Sequence, residues 1–294
     1  MLTPQARAAL AAAAEEPRVS DPGFDIATSR EQARALAAAL PRESVAEVRD
    51  VDADGVPCRL YVPEDADAGV VVLLHGGGFV FHDIDVYDAP ARRLANRCGL
   101  AVLSVDYRRP PEHPFPAAPD DVDTVLGHLD RFGADLGLQG PAYVHGDSAG
   151  ANLALVAALR HPGRFRAVAL IYPFLDPSGG EESYRTEAHG MDATEGEFYW
   201  RQYAATDADR THPDLAPLHS DRLATLPPTL VVTAEHDPLR DEGERLAAEL
   251  AELGVEVVGT RYLGQLHGFW RHDLVFPQAD PLMRQVAGFL RMHQ

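Results

Sequence analysis

The sequence predicts an α/β fold: a mostly parallel sheet of eight strands, helices on both faces, and a helical cap. From residue 70 onward, short Val- and Leu-rich runs alternate with helical patterns of about ten to fifteen residues, the rhythm of a parallel sheet with crossover helices. The runs are apolar throughout rather than at every second position, as strands buried on both faces require. One polar and then aromatic stretch, residues 179–217, breaks the rhythm and is too long for an ordinary connection, so it reads as an inserted helical cap segment.

Two alanine-rich helical patterns come first, Thr3 to Ala14 and Arg30 to Leu40. Ser29 with Gln32 three positions on has the spacing of a capping box for the second helix, and Pro41 stops it. Both precede the sheet and have no crossover to make, so residues 1–42 are expected to join the cap. SVAEVRDV and VPCRLYV flank Asp52-Ala53-Asp54-Gly55 and predict an antiparallel hairpin. Strands are then expected at Val70–Leu74, Ala101–Val105, Ala142–His145, Ala167–Ile171, Leu230–Thr233 and Val255–Tyr262. The sheet unit is thereby divided into residues 43–178 and 218–294 around the insertion.

Composition removes several function classes. The 294 residues carry 45 Asp and Glu against 26 basic residues, a formal charge of -19 that repels phosphate backbones and anionic surfaces, so no nucleic-acid partner is expected. All the basic residues are Arg. Without a lysine amine there is no P-loop, no Schiff base and no Ser-Lys pair. Cys58 and Cys98 have no CxxC spacing and make neither a metal knuckle nor a disulfide framework. The opening MLTPQARAALAAAAEEP lacks a basic start followed by an apolar run, and no window of about 18 apolar residues occurs. A cytoplasmic protein without a membrane span is the expectation.

The chemistry concentrates in three places. Gly146-Asp147-Ser148-Ala149-Gly150 fits G-x-S-x-G, directly after the strand ending at His145 and directly before the helical run ANLALVAALR. A serine on such a turn is pushed out of the sheet at a helix N-terminus, where backbone N–H groups and the dipole favour developing negative charge. Its hydroxyl needs a base and a carboxylate to become nucleophilic. His267, in the loop after the last strand, is the expected base, and Asp237, in the turn after TLVVT, the expected acid, with Glu235 and Asp241 as rivals. His236 competes with Asp237 for its loop rather than for the imidazole role, and Asp241 suits the first turn of the following helix. His75-Gly76-Gly77-Gly78-Phe79 follows the strand VVVLL; three glycines let bare N–H groups approach a ligand oxygen, the pattern of an oxyanion hole. Gly77, Gly78 and Ala149 are the expected donors, with His75 and Gly76 as the supporting loop and Gly76 its hinge.

Other features read as structural. Asp106-Tyr107-Arg108 and the Pro-dense run Pro110 to Pro116 are expected to stiffen a loop under the site, with Arg108 bracing Glu112. Asp147 is expected to bond its own loop or tune the site without being catalytic. The aromatic group Phe198 to Tyr203 reads as cap core rather than substrate wall. His82, Asp83 and Asp85 read as water-facing, so no metal site is expected.

HGGGF, GDSAGAN, DPLRDEG and HGF, in this order and with DYRRPPEHPFPAAPDD between the first two, resemble the hormone-sensitive lipase family of α/β-hydrolases, in particular its bacterial carboxylesterases. The resemblance spans about residues 70–292. It implies a serine carboxylesterase acting on small-molecule esters with short acyl chains through an acyl-enzyme, with Ser148, Asp237 and His267 as the triad and no cofactor. It also leaves room for a homodimer, since relatives often pair through an edge strand or helix. Arg109 and Pro110 depart from the family's Tyr-Arg-Leu-Ala-Pro-Glu pattern. An amidase or deacetylase using the same triad, and a catalytically silent ligand-binding protein on this fold, are the alternatives.

Overall fold

Asp54 and Gly55 both take positive φ, 56° and 94°, the backbone that a two-residue hairpin turn demands. Around them β1 (Glu47–Ala53) and β2 (Val56–Val62) pair antiparallel. In the computed structural model, which describes residues 1–294, six further strands complete one sheet. They are β3 (Asp67–Leu74), β4 (Leu100–Val105), β5 (Ala142–Asp147), β6 (Phe165–Ile171), β7 (Thr229–His236) and β8 (Val257–Leu266). The order across the sheet is β1-β2-β4-β3-β5-β6-β7-β8; β2 is antiparallel to both neighbours and every other pairing is parallel.

Successive residues of β3 face opposite sides, so its continuous apolar run feeds two cores. Val72 and Leu74 join Leu103, Val144 and Val231 on the face covered by α4 (Ala117–Phe132), α5 (Ala149–Arg160) and α8 (Arg240–Glu252). Val71 and Leu73 join Val102, Ala169 and Val232 on the face covered by α3 (Asp88–Cys98) and α9 (Ala279–Met292). Gly99, left-handed at φ 65°, ends α3 and turns the chain directly into β4. No helix is long and apolar enough to cross a membrane.

The N-terminal helices are α1 (Pro4–Ala13) and α2 (Ile26–Ala38). The start of α2 corrects the sequence expectation. Its cap is Asp25, whose carboxylate accepts the Thr28 N–H at 2.7 Å, so Ser29 lies inside the helix and the capping box Ser29–Gln32 does not form. Between β6 and β7 the chain forms α6 (Ser183–Thr186), α7 (Ala193–Tyr203) and three short 3-10 turns. The two segments touch: Arg18 pairs with Asp192 at 3.0 Å and Phe24 meets Phe198 edge-on. Arg30 of α2 donates to the carbonyls of Val80 and Pro110 and to Glu112. Glu112 is therefore held by Arg30, not by Arg108, which pairs with Asp121 instead.

Candidate active site

β5 runs straight into Ser148, whose φ of 55° and ψ of -122° lie where a side chain is strained. The surrounding bonds fix this conformation. The Ser148 N–H donates to Ile171 O at 2.9 Å, and its carbonyl accepts from Ala151, Asn152 and Phe174. Glycine is required on both sides: a Cβ on Gly146 would strike the Gly150 backbone, and one on Gly150 the carbonyls of Leu74 and His75. Ser148 thus stands at the first turn of α5 with its hydroxyl directed out of the sheet.

The ends of β7 and β8 bring the other two side chains to it. His267 lies 3.0 Å through Nε2 from Ser148 Oγ and 2.8 Å through Nδ1 from Asp237 Oδ2. Asp237 is fully buried, and its Oδ1 accepts the Leu239 N–H at 2.8 Å, which fixes the carboxylate plane. Burial disfavours the His267 cation. The Asp237 charge and hydrogen bond, with Asp147 and Glu195 behind them, outweigh that and hold the imidazole above its ordinary pKa. The rival carboxylates are engaged elsewhere: Glu235 accepts the Gly264 N–H at 2.6 Å, and Asp241, in the first turn of α8, accepts that of Ser183 at 2.8 Å. His236 turns to Glu187.

The glycine loop departs from expectation at one position. Gly76 is not the hinge. Its N–H donates inward to Tyr87 Oη at 2.9 Å and Asp147 Oδ1 at 3.1 Å, and a Cβ there would sit 2.8 Å from the Asp147 carbonyl. The turn is made by Gly77 and Gly78, at φ 122° and 59°. The N–H groups of Gly77, Gly78 and Ala149 have no acceptor within the chain. His75 supports the loop from below: it is buried, stacked on Tyr107 at 4.2 Å, and pushed down to about 3 by burial and the nearby Arg109 charge, which keeps it neutral. Arg109 itself ties the proline-rich loop to Asp106 at 3.1 Å and to the His82 carbonyl.

Asp147 does more than close its own loop. Besides the Gly76 N–H, it accepts the Tyr87 hydroxyl at 2.8 Å, so one buried carboxylate braces the glycine loop from the residue beside the serine. The sequence offered no signal for the Tyr87 partner, which lies 60 residues away.

A cavity of about 310 Å³ opens beside Gly77, walled by Phe24, Phe81, His82, Glu195 and Tyr199. The aromatic group of α7 is thereby split. Trp200 and Tyr203 are core, Tyr203 stacking on Phe79 at 3.7 Å, whereas Tyr199 faces the cavity and donates to Glu195 at 2.6 Å. A larger open groove of about 700 Å³ lies at the amino ends of β3 and β5, near Val70 and Ala142. That is the opposite end of the strands from Ser148, and ligands of open α/β sheets bind at the carboxyl ends. Asp83 is buried against Arg34, contrary to expectation, whereas Asp85, though paired with Arg59, is exposed to water as expected.

Such a sheet, with a serine at the turn between its fifth strand and the following helix, defines an α/β hydrolase. The chain belongs to that family: the alpha/beta hydrolase fold matches residues 71–271, and the chain is of its hormone-sensitive-lipase-like branch. It is a carboxylic ester hydrolase. It is 38% identical to the carboxylic ester hydrolase LipN of Mycobacterium tuberculosis, over 83% of this chain and 70% of that one. It is 34% identical to the ethyl acetate hydrolase of Pseudomonas putida, over 82% and 80%. Its structure is similar to a hyperthermophilic esterase of Pyrobaculum calidifontis with a TM-score of 0.92 at 35% identity, covering 99% of this chain and 98% of that one.

Proposed function

We propose that Ser148, His267 and Asp237 are the catalytic triad and that Gly77, Gly78 and Ala149 form the oxyanion hole. The observation that carries this is the continuous line of hydrogen bonds from Asp237 through His267 to Ser148, at 2.8 and 3.0 Å. Neutral His267 takes the Ser148 proton through Nε2 as Oγ attacks the ester carbonyl. Asp237 holds Nδ1–H, fixing the tautomer, and stabilises the imidazolium. The tetrahedral oxyanion accepts from the three unpaired N–H groups, each worth about 2.7–4 kcal/mol of barrier by analogy with other oxyanion holes. The imidazolium protonates the leaving alcohol, and water, deprotonated by His267, then cleaves the acyl-enzyme and restores Ser148.

The N-terminal helices and residues 179–217 form the cap, supported by their mutual contacts and by the residues both give to the cavity wall. A small ester is supported by relatives named ethyl acetate hydrolase and, in Salmonella choleraesuis, acetyl esterase, and the cavity beside Gly77 has room for one. Two buried cysteines without a disulfide favour a reducing, cytoplasmic setting. A kinetic series of p-nitrophenyl esters of increasing acyl length, beside a matched anilide, tests the reading. The expected result is a maximum of kcat/KM among the shortest acyl chains with slow anilide cleavage; preference for the anilide or for long chains overturns it.

A further inference from the structure

Glu187, His189 and His236 converge outside the catalytic line. Glu187 and His189 lie between α6 and α7, in the insertion, and His236 closes β7 one residue before Asp237. One ligand atom from each lies within 4.8 Å of the others. Glu187 Oε2 is 2.8 Å from His236 Nδ1 and 3.9 Å from His189 Nε2, and the two rings meet edge to face at 5.4 Å. We propose that these three side chains bind a divalent transition cation of the zinc type, through Glu187 Oε2, His189 Nε2 and His236 Nδ1, and so tie the insertion to the strand end that carries Asp237.

Two imidazoles with one carboxylate are a donor set that zinc accepts, whereas magnesium and calcium take oxygen ligands. Bonds of about 2.0–2.1 Å place the ligand atoms of a tetrahedral zinc roughly 3.3 Å apart, so the widest edge of the triangle closes by at most about 1.5 Å and the 2.8 Å Glu187–His236 edge opens by about 0.5 Å. His189 has the freedom to do this, since its side chain is 41% exposed, and the same exposure leaves the fourth position to water. The outer contacts suit an ion as well. His236 Nε2 is buried without a hydrogen bond and faces Glu235 Oε2 at 3.5 Å, the carboxylate–imidazole arrangement that orients a metal-binding histidine. Arg240 holds Glu187 Oε1 at 3.3 Å and leaves Oε2 for the ion. Its positive charge opposes a cation, yet Glu187, Glu235, Asp241 and Glu244 outnumber Arg240, Arg261 and the chain's amino terminus, keeping the local balance negative.

Equilibrium dialysis of the full chain against buffered Zn²⁺ tests this, with His189→Ala and Glu187→Gln as variants. The expected result is a single Zn²⁺ per chain, with affinity reduced at least about tenfold in each variant. Zn²⁺ should also raise the melting temperature of the unaltered chain far more than that of either variant. Unchanged ester hydrolysis in chelator shows that the variants are folded. No bound Zn²⁺, or equal binding by the variants, overturns the proposal and leaves the group a hydrogen-bonded strap.

Discussion

His267 receives opposing influences, and under the proposed mechanism their balance decides when the enzyme works. Burial disfavours its cation, while Asp237, Asp147 and Glu195 all favour it and prevail, so the pKa stands above the ordinary value near 6.5. Only the neutral imidazole accepts the Ser148 proton, so kcat/KM should rise with pH through a midpoint above 6.5 and fall away on the acid side. Asp237→Asn removes the largest favourable contribution, so that midpoint should move down as the rate falls. A pH profile of both proteins checks this; a midpoint below 6.5 in the unaltered enzyme contradicts the assigned electrostatics. Glu195 lines the cavity, its own carboxyl raised by burial against the Tyr199 bond and the His267 charge that lower it. Three carboxylates thus act on His267, of which the sequence singled out Asp237 for the triad, gave Asp147 a loop-bonding or site-tuning role, and left Glu195 unmarked.

Elements whose pattern is self-contained were legible before the structure. The continuous apolar runs became β3 to β7 within a few residues, and Asp54-Gly55 became the hairpin turn, because strand burial and turn chemistry are written locally; the edge strand β8, mixed in sequence and largely exposed, followed from the alternating rhythm instead. The triad candidates were legible for a related reason: each falls at the carboxyl end of a strand, and strand ends are easy to locate. What stayed hidden depends on partners remote in the chain. Glu112 gave no sign of Arg30, Gly76 none of Tyr87 and Asp147, and Glu187 none of His236. The cap of α2 was misplaced because Ser29–Gln32 imitates a capping box while Asp25 already closes the helix four positions earlier. Arg30 matters most among these, since it joins α2 to the loops after β3 and β4 through two carbonyls and Glu112. Arg30→Met keeps the stem and removes those bonds. It should raise KM severalfold with little change in kcat, since α2 walls the cavity but carries no reacting atom; steady-state kinetics decide, and a fall in kcat alone contradicts this role.

The whole molecule serves to bring distant residues to one edge of a sheet. Ser148 and His267 are 119 residues apart in the chain and Asp237 and His267 are 30 apart, yet all three stand where β5, β7 and β8 end. The parallel sheet makes that convergence inexpensive, because every crossover returns the next strand's carboxyl end to the same side. The measurement that bears most directly on this account is mass spectrometry of the protein quenched during turnover of p-nitrophenyl acetate, with rapid-mixing detection of p-nitrophenol. The account predicts a burst of product and an acetyl group on the peptide containing Ser148, both absent from Ser148→Ala. A burst that survives in that variant, or an acetyl group carried on another residue, contradicts it.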